Sequence, residues 1–254
     1  MNRQPKISLV TCCYNSEKTI EETIVSVLAQ EYKNYEHIIV DGRSKDSTLH
    51  IVKKYEAQYE GRLRYISESD KGIYDAFNKG IKMAEGDIIG ILNSDDILYS
   101  PTVFADIAKK FVDEECDVIY GDLVFADEET MMQTTRVWKA GKGSIQWGWR
   151  PPHPTFYVKK EVHDKHGYYK THFKISADYD FMIRTLKDKT LKFGYVQKTL
   201  VKMRLGGVST DGPKANLVSC KEIQQVLREN DMKFKWLIQI SRIARVIPQK
   251  FKKK

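Results

Sequence analysis

The sequence lacks any apolar run approaching the roughly 20 residues that a membrane-spanning helix needs, so no bilayer crossing is expected of it. It has only four cysteines, Cys12, Cys13, Cys116 and Cys220. An adjacent pair and two distant singles give neither a metal-ligand spacing nor a secreted disulfide framework, which favours a reducing compartment. No Gly-x-Gly-x-x-Gly and no phosphate-binding P-loop follows the first apolar run, where Cys12-Cys13-Tyr14-Asn15 stands instead. A Rossmann dehydrogenase and a P-loop NTPase are thereby disfavoured. Met1 to Lys6 is short and polar, without the apolar core and small-residue cleavage site of a signal peptide, so a cytoplasmic chain is expected. Repeats and low-complexity segments are also absent.

Acidic residues are also missing from the C-terminal stretch. After Asp231 the chain carries Lys233, Lys235, Arg242, Arg245, Lys250, Lys252, Lys253 and Lys254 with no Asp or Glu among them. These eight account for the whole formal charge of +8, because the remaining 34 Lys and Arg match the 34 Asp and Glu. A neutral body with a basic tail does not suggest nucleic acid as a partner. At 254 residues, 41% of them hydrophobic, the chain can bury a substantial core.

Ile7 to Thr11 is a short β-branched run; Asn15 and Ser16 offer helix caps, and Ile20, Ile24, Val27 and Leu28 then recur at helical spacing. His37 to Val40 followed by Thr48, Ile51, Val52 and Tyr55 repeats the strand-then-helix unit. Leu63 to Ile66, Ile73 to Ala84 and Ile88 to Leu92 extend it, and Phe104, Ile107, Ala108 and Phe111 mark one more helical face. Strands alternating with helices predict an α/β fold with a mainly parallel central sheet flanked by helices. Beyond it the pattern becomes mixed α+β, with short strands around Val118 to Tyr120, Leu123 to Phe125 and Phe156 to Val158. A loop runs from Gly141 to Pro152, and its aromatics are poorly buried unless they meet a ligand.

In such sheets ligands sit at the carboxyl ends of the strands, so the turns after Thr11, Val40 and Leu92 come first. Asn93-Ser94-Asp95-Asp96 sets adjacent carboxylates directly after a buried strand. Mg²⁺ or Mn²⁺ is commonly held by one or two carboxylates plus substrate phosphates; the alternative is an Asx turn with helix-capping acids. Asp41 is an acceptor suited to a uracil or ribose, or an ordinary turn former beside Gly42. Tyr74, Asn78 and Lys82 share a helical stripe, which on spacing alone is a solvated surface. In Ser176-Ala177-Asp178-Tyr179-Asp180-Phe181 either acid is a candidate general base or a simple complement to the helix dipole. His153 after Pro151-Pro152 is a ligand contact or a structural histidine.

Taken together, Ile7 to Asn15, Ile39 to Thr48, Asp70 to Gly80, Leu92 to Asp96 and Ser176 to Phe181 resemble family 2 glycosyltransferases in order and spacing. The resemblance runs from about Lys6 to Ser209 and is nearest to members of the bacterial surface-polysaccharide type. It implies the GT-A nucleotide-diphospho-sugar transferase fold, a nucleotide diphosphate sugar donor of the UDP-sugar kind, a divalent Mg²⁺ or Mn²⁺, and inversion by direct displacement. It also implies an acceptor that is a saccharide or a lipid-diphosphate-saccharide, as in O-antigen or capsule synthesis. By motif, Thr11, Tyr14 and Asp41 hold the nucleoside, with Asn15, Lys71, Tyr74, Asn78, Asn93, Ser94 and Arg204 completing the donor site. Asp95, with Asp96 beside it, binds the metal, and Asp178 is the base. Trp149, His153 and Asp180 fall to the acceptor, Asp180 being the fallback base.

Two departures stand out: Asn93 where members often have Asp, which bears on donor preference, and Ala177-Asp178 where they often have Glu-Asp. The expected organisation is a GT-A domain over 1–210, with a nucleotide-binding half at 1–115 and an acceptor-binding half at 116–210, followed by a tail at 211–254. If Lys233 to Ile247 is helical, Trp236, Ile240, Ile243, Ala244 and Ile247 form an apolar arc opposite Lys235, Gln239, Arg242 and Arg245, with Ile238 and Val246 out of place. That amphipathic, basic helix suits the inner face of the cell membrane, contacted through 233–254; packing on the domain is the alternative. Competing functions are a nucleotidyltransferase, whose Gly-rich, Arg-bearing loop is missing, and a non-catalytic sugar-binding or membrane adaptor protein.

Overall fold

The structure is a computed structural model that describes residues 4–206, 212–233 and 235–241. Four strands, β1 (Ile7–Cys13), β2 (Tyr35–Asp41), β3 (Leu63–Ser67) and β4 (Ile88–Ile91), pair in parallel in the order β3-β2-β1-β4. Every residue of β1 and β2 is buried, the pattern of strands covered on both faces. Helices α1 (Ile20–Leu28), α2 (Thr48–Lys54) and α3 (Ile73–Met83) supply the crossovers. The predicted alternation of strand and helix is therefore present, with β1 and β2 each running a residue or two further than their apolar runs.

The second half adds β5 (Ile97–Leu98), α4 (Val103–Asp113), β6 (Val118–Ala126), β7 (Thr134–Trp138), β8 (Tyr157–Lys159), α5 (Lys160–His166), α6 (Ala177–Leu186), β9 (Phe193–Arg204) and α7 (Gly212–Glu229). These strands continue the same sheet as β4-β8-β6-β9-β5, with β7 pairing the later part of β6 beyond its two-residue contact with β8. The β4–β8, β6–β8, β6–β7 and β5–β9 pairs are antiparallel. The two short strands expected around Tyr120 and Leu123 are one continuous strand, β6, with a register shift against β9 at Gly121 to Leu123. β8 inserts beside β4, where a side chain at Gly90 would meet the Tyr157 ring at 2.1 Å. Only glycine leaves room for that fully buried ring.

Alternate residues of β1 divide between two cores, Val10 and Cys12 on one face and Ile7, Leu9 and Cys13 on the other. The first core packs under α3, α6 and α7; the second packs under α1, α2 and α4. Ile223, Val226 and Leu227 of α7 join the first core, as do Met232 and Ile238 beyond it. Residues 235–241 are helical, with Ile238 fully buried while Trp236 (62%) and Ile240 (57%) are exposed. The misplaced Ile238 of the expected arc is thus the residue that docks this turn on the domain. Ile243, Ala244, Val246 and Ile247 lie outside the described residues.

Candidate active site

The carboxyl ends of β1, β2 and β4 converge. Asn15, in a left-handed conformation (φ 50°), accepts a hydrogen bond from the Lys45 amide at 2.9 Å. The Ser16 and Ser94 hydroxyls meet at 3.0 Å, and Tyr14 stands 60% exposed at the rim. Thr11 lies deeper, fully buried, its hydroxyl 2.9 Å from His37 Nε2. Asp41, also fully buried, accepts from the Ser44 amide, the Ser44 hydroxyl and, at 2.5 Å, the Ser67 hydroxyl. A side chain at Gly42 would meet Asp70 Oδ2 at 2.6 Å, so glycine lets these two turns close on one another. Lys71 is exposed on the loop entering α3, and its amide donates to Asp75 at 3.0 Å.

Asp95 and Asp96 have different surroundings. Asp96 is fully buried and accepts from Asn93 Nδ2 at 3.0 Å and the Arg204 amide at 3.1 Å. Burial, then the charge of Asp95, pushes its carboxyl well above the usual range. Asp95 is half-buried, its carboxyl also raised by burial, and among the described residues no other residue donates a hydrogen bond to it. Its oxygens are hard donors left open, which fits a divalent cation completed by substrate oxygens. The described residues hold no cluster of three or more His, Cys, Asp or Glu arranged for a metal. The Arg204 guanidinium is paired with Glu22 and the Glu128 carbonyl in a structural ion pair.

Asp178 opens α6. It is half-buried and accepts at 3.3 Å from the hydroxyl of Tyr74, which α3 brings across from the other half. Burial, then the negative charge of Asp178, holds the Tyr74 phenol well above its ordinary pKa. Tyr74 stacks on Tyr169, centroids 5.9 Å apart, and the Tyr169 hydroxyl lies 2.9 Å from His153 Nε2. Burial, offset by Asp178, lowers the pKa of His153. Asn78 grips the Tyr169 backbone through both ends of its amide, at 2.8 and 3.0 Å. Tyr74 and Asn78 are therefore not a solvated stripe: they assemble an aromatic floor beside Asp178.

Asp180, two residues on, is fully buried between Lys170 (3.1 Å), Arg184 (2.8 Å) and Asn230 (2.8 Å). Trp149 is buried too; its indole donates to the Ala140 carbonyl at 2.8 Å and its ring meets Tyr120 edge-on. It anchors the 139–152 loop from inside, whereas Trp147 of the same loop is 63% exposed. Residues with no signal at motif spacing complete the region. Glu222 of α7 accepts from the amides of Lys174, Ile175 and Ser176 at 2.7, 2.9 and 3.0 Å, capping the start of α6 from another helix. Tyr169, Glu222 and two arginines described below come from segments that only the fold brings together.

Comparison with known proteins agrees with this geometry. The profile of the family described as Glycosyl transferase family 2 matches residues 8–176. EpsE of Bacillus subtilis, named as a glycosyltransferase, is 39% identical over 100 residues, covering 39% of this chain and 36% of that protein. The chain thus spans about a third of that relative's length. Among solved structures, residues 1–349 of S. aureus TarS in complex with UDP-GlcNAc superpose with a TM-score of 0.68 at 20% identity, covering 96% of this chain and 73% of that one. The mannosyltransferase PcManGT from Pyrobaculum calidifontis, in complex with GDP-Man and Mn²⁺, gives 0.69 at 16% identity over 98% and 74%. The fold is that of GT-A glycosyltransferases.

Proposed function

The chain belongs to glycosyltransferase family 2, and from that premise we propose that it moves a sugar from a nucleotide diphosphate donor, a UDP-sugar, to an acceptor hydroxyl with inversion. The acceptor in this reading is a lipid-linked saccharide of surface-polysaccharide synthesis. The observation that carries the reading is Asp178: an accessible carboxylate at a helix start, free of cationic partners among the described residues, while its neighbour Asp180 is locked. Asp178 takes the proton of the acceptor hydroxyl as that oxygen bonds to the anomeric carbon, and the bond to the diphosphate breaks with its electron pair leaving on phosphate oxygen. The attack comes from the face opposite the leaving group, which inverts the centre.

Asp95 would hold Mg²⁺ or Mn²⁺, with Asp96 behind it; when bound, the ion supplies positive charge to the departing diphosphate. PcManGT, bound to Mn²⁺, and TarS, bound to UDP-GlcNAc, support this reading of metal and donor. Asp41, Asn15 and Ser94 frame the nucleoside end, and Tyr74 steadies Asp178. The direct test is isothermal calorimetry with a panel of nucleotide sugars, with and without manganese. Metal-dependent heat for a UDP-sugar is expected; indifference to every sugar nucleotide in both conditions would overturn the reading.

We further infer that the chain works at the inner face of the cell membrane. Trp236 and Ile240 are exposed on the helical turn whose Ser241 hydroxyl donates at 2.7 Å to the carbonyl of the exposed Trp147. The basic residues after Asp231 add attraction for anionic headgroups, each worth about 1 kcal/mol near the surface. No described helix is long and apolar enough to cross a membrane. Deleting residues 242–254 removes six of the eight positive charges while sparing Ile238. Binding to anionic liposomes is expected to weaken and to lose its salt dependence; unchanged binding would defeat the idea.

A further inference from the structure

Arg150 stands beside the Asp178 region and Arg136 beside Arg150, and among the described residues no carboxylate pairs with either. Arg136 lies on β7 opposite Phe125 of β6, and its guanidinium carbon sits 3.5 Å from that ring's centroid. Arg150 sits over Trp138, two residues along the same strand, at 5.0 Å, and 5.8 Å from the ring of Tyr179, the residue after Asp178. Residues two apart on a strand share a face, so Arg136 and Trp138 point the same way and bring the second guanidinium toward the first. The anchored ring of Trp149 fixes the backbone from which Arg150 extends.

Among the described residues neither guanidinium has an ion-pair partner or a hydrogen-bond acceptor, and Arg136 Nε is buried without one. Three other arginines differ in having a carboxylate partner, although Arg204 Nε and Arg62 Nη1 are likewise buried without an acceptor. Arg64, Arg184 and Arg204 each reach a carboxylate and a backbone carbonyl. Burial, then the nearby charge of Arg150, lowers the Arg136 pKa to about 10, as expected for like charges held close. Leaving buried donors unmet is costly, and stacking on rings immobilises the forks without using their N–H groups. Such a pair is built to receive planar, multidentate oxyanions.

We propose that Arg136 and Arg150 form a phosphate-binding subsite next to Asp178. The ligand is a phosphoryl group of a substrate. Given the proposed transfer reaction, on which the choice of substrates rests, it belongs either to a diphosphate carried by the acceptor or to that of the donor.

The test begins without metal or sugar. Inorganic pyrophosphate is titrated into the full chain in EDTA, where Asp95 has no cation to offer. Wild type is expected to bind, Arg136→Gln and Arg150→Gln at least tenfold more weakly, and Arg150→Lys between them, because it keeps the charge and loses the fork. Melting curves identify any variant that fails to fold, and Arg136→Lys then stands in for Arg136→Gln. Two further arms separate the sources. A raised KM for a diphosphate-bearing acceptor with unchanged affinity for UDP assigns the subsite to the acceptor; weakened UDP affinity assigns it to the donor. Pyrophosphate binding that vanishes in the variants, in a protein that transfers no sugar, would keep the subsite and remove the transferase reading. Wild type that ignores pyrophosphate, or variants that bind it equally well, would overturn the proposal.

Discussion

Each half of the molecule carries a close pair of acids, adjacent in one and two residues apart in the other, and in each pair one is locked while the other is left open. In the nucleotide-side turn Asp96 is sealed by Asn93 and the Arg204 amide, and Asp95 faces outward. On α6 Asp180 is sealed by Lys170, Arg184 and Asn230, and Asp178 is half-buried beside the Tyr74 hydroxyl. The locks differ in kind. The nucleotide side satisfies Asp96 and Asp41 with neutral amides and hydroxyls, among them the Arg204 amide from the end of β9. The acceptor side uses cations and a distant helix, so its working acid depends on long-range tertiary structure.

That contrast predicts unequal sensitivity. Removing Asp180 leaves two cations around an uncompensated buried position, and Asp180→Ala is expected to cost about 3 to 5 kcal/mol of stability, read by chemical denaturation. Asp41→Asn keeps one acceptor oxygen for the serines and is expected to cost about 1 to 3 kcal/mol in the same assay. Equal losses would remove the distinction between the two kinds of lock.

Acid offers a gentler probe of the nucleotide side. His37 is buried between the Tyr59 hydroxyl and Thr11, and burial lowers its pKa from 6.5 to about 3. The unfolded chain therefore binds the extra proton first. The resulting stability is complete above pH 6.5 and is lost progressively as pH falls toward 3. His37→Gln is expected to flatten the dependence of Tm on pH between 7 and about 4.5, a window read from the same shift. An unaltered slope would assign the acid sensitivity elsewhere. The smallest effect on stability belongs to Glu222→Ala: faster amide hydrogen exchange at Lys174, Ile175 and Ser176, with donor affinity unchanged. Unchanged exchange would show that α7 does not hold the start of α6.

How far the sequence revealed all this follows the same divide. β1, β2 and β4 and the crossover helices were legible because each of these strands holds a short apolar run and each helix repeats at 3.6 residues, whereas β3, with Arg64 inside it, gives a weaker signal. Asp95 and Asp178 stood out because acids paired one or two residues apart at element ends are visible in one dimension. The role of Asn78, which clamps the Tyr169 backbone 91 residues away, was not visible. Nor were the Glu222 cap or the convergence of Arg136 with Arg150, since edge-strand pairing and helix packing determine them. Trp149 looked like a ligand contact because an aromatic in a Gly-rich loop is seldom buried; the Ala140 carbonyl and the space at Gly143 explain why this one is.

The central claim is that Asp178 removes the acceptor proton while the donor is held by other residues. Asp178→Asn tests it most directly, with transfer rate and donor affinity measured on the same preparation. The account predicts that transfer falls by about 10²- to 10⁴-fold, the usual contribution of a general base, with UDP-sugar affinity within a factor of about two, below the tenfold that 1.4 kcal/mol represents. Near-normal turnover in Asp178→Asn would contradict it.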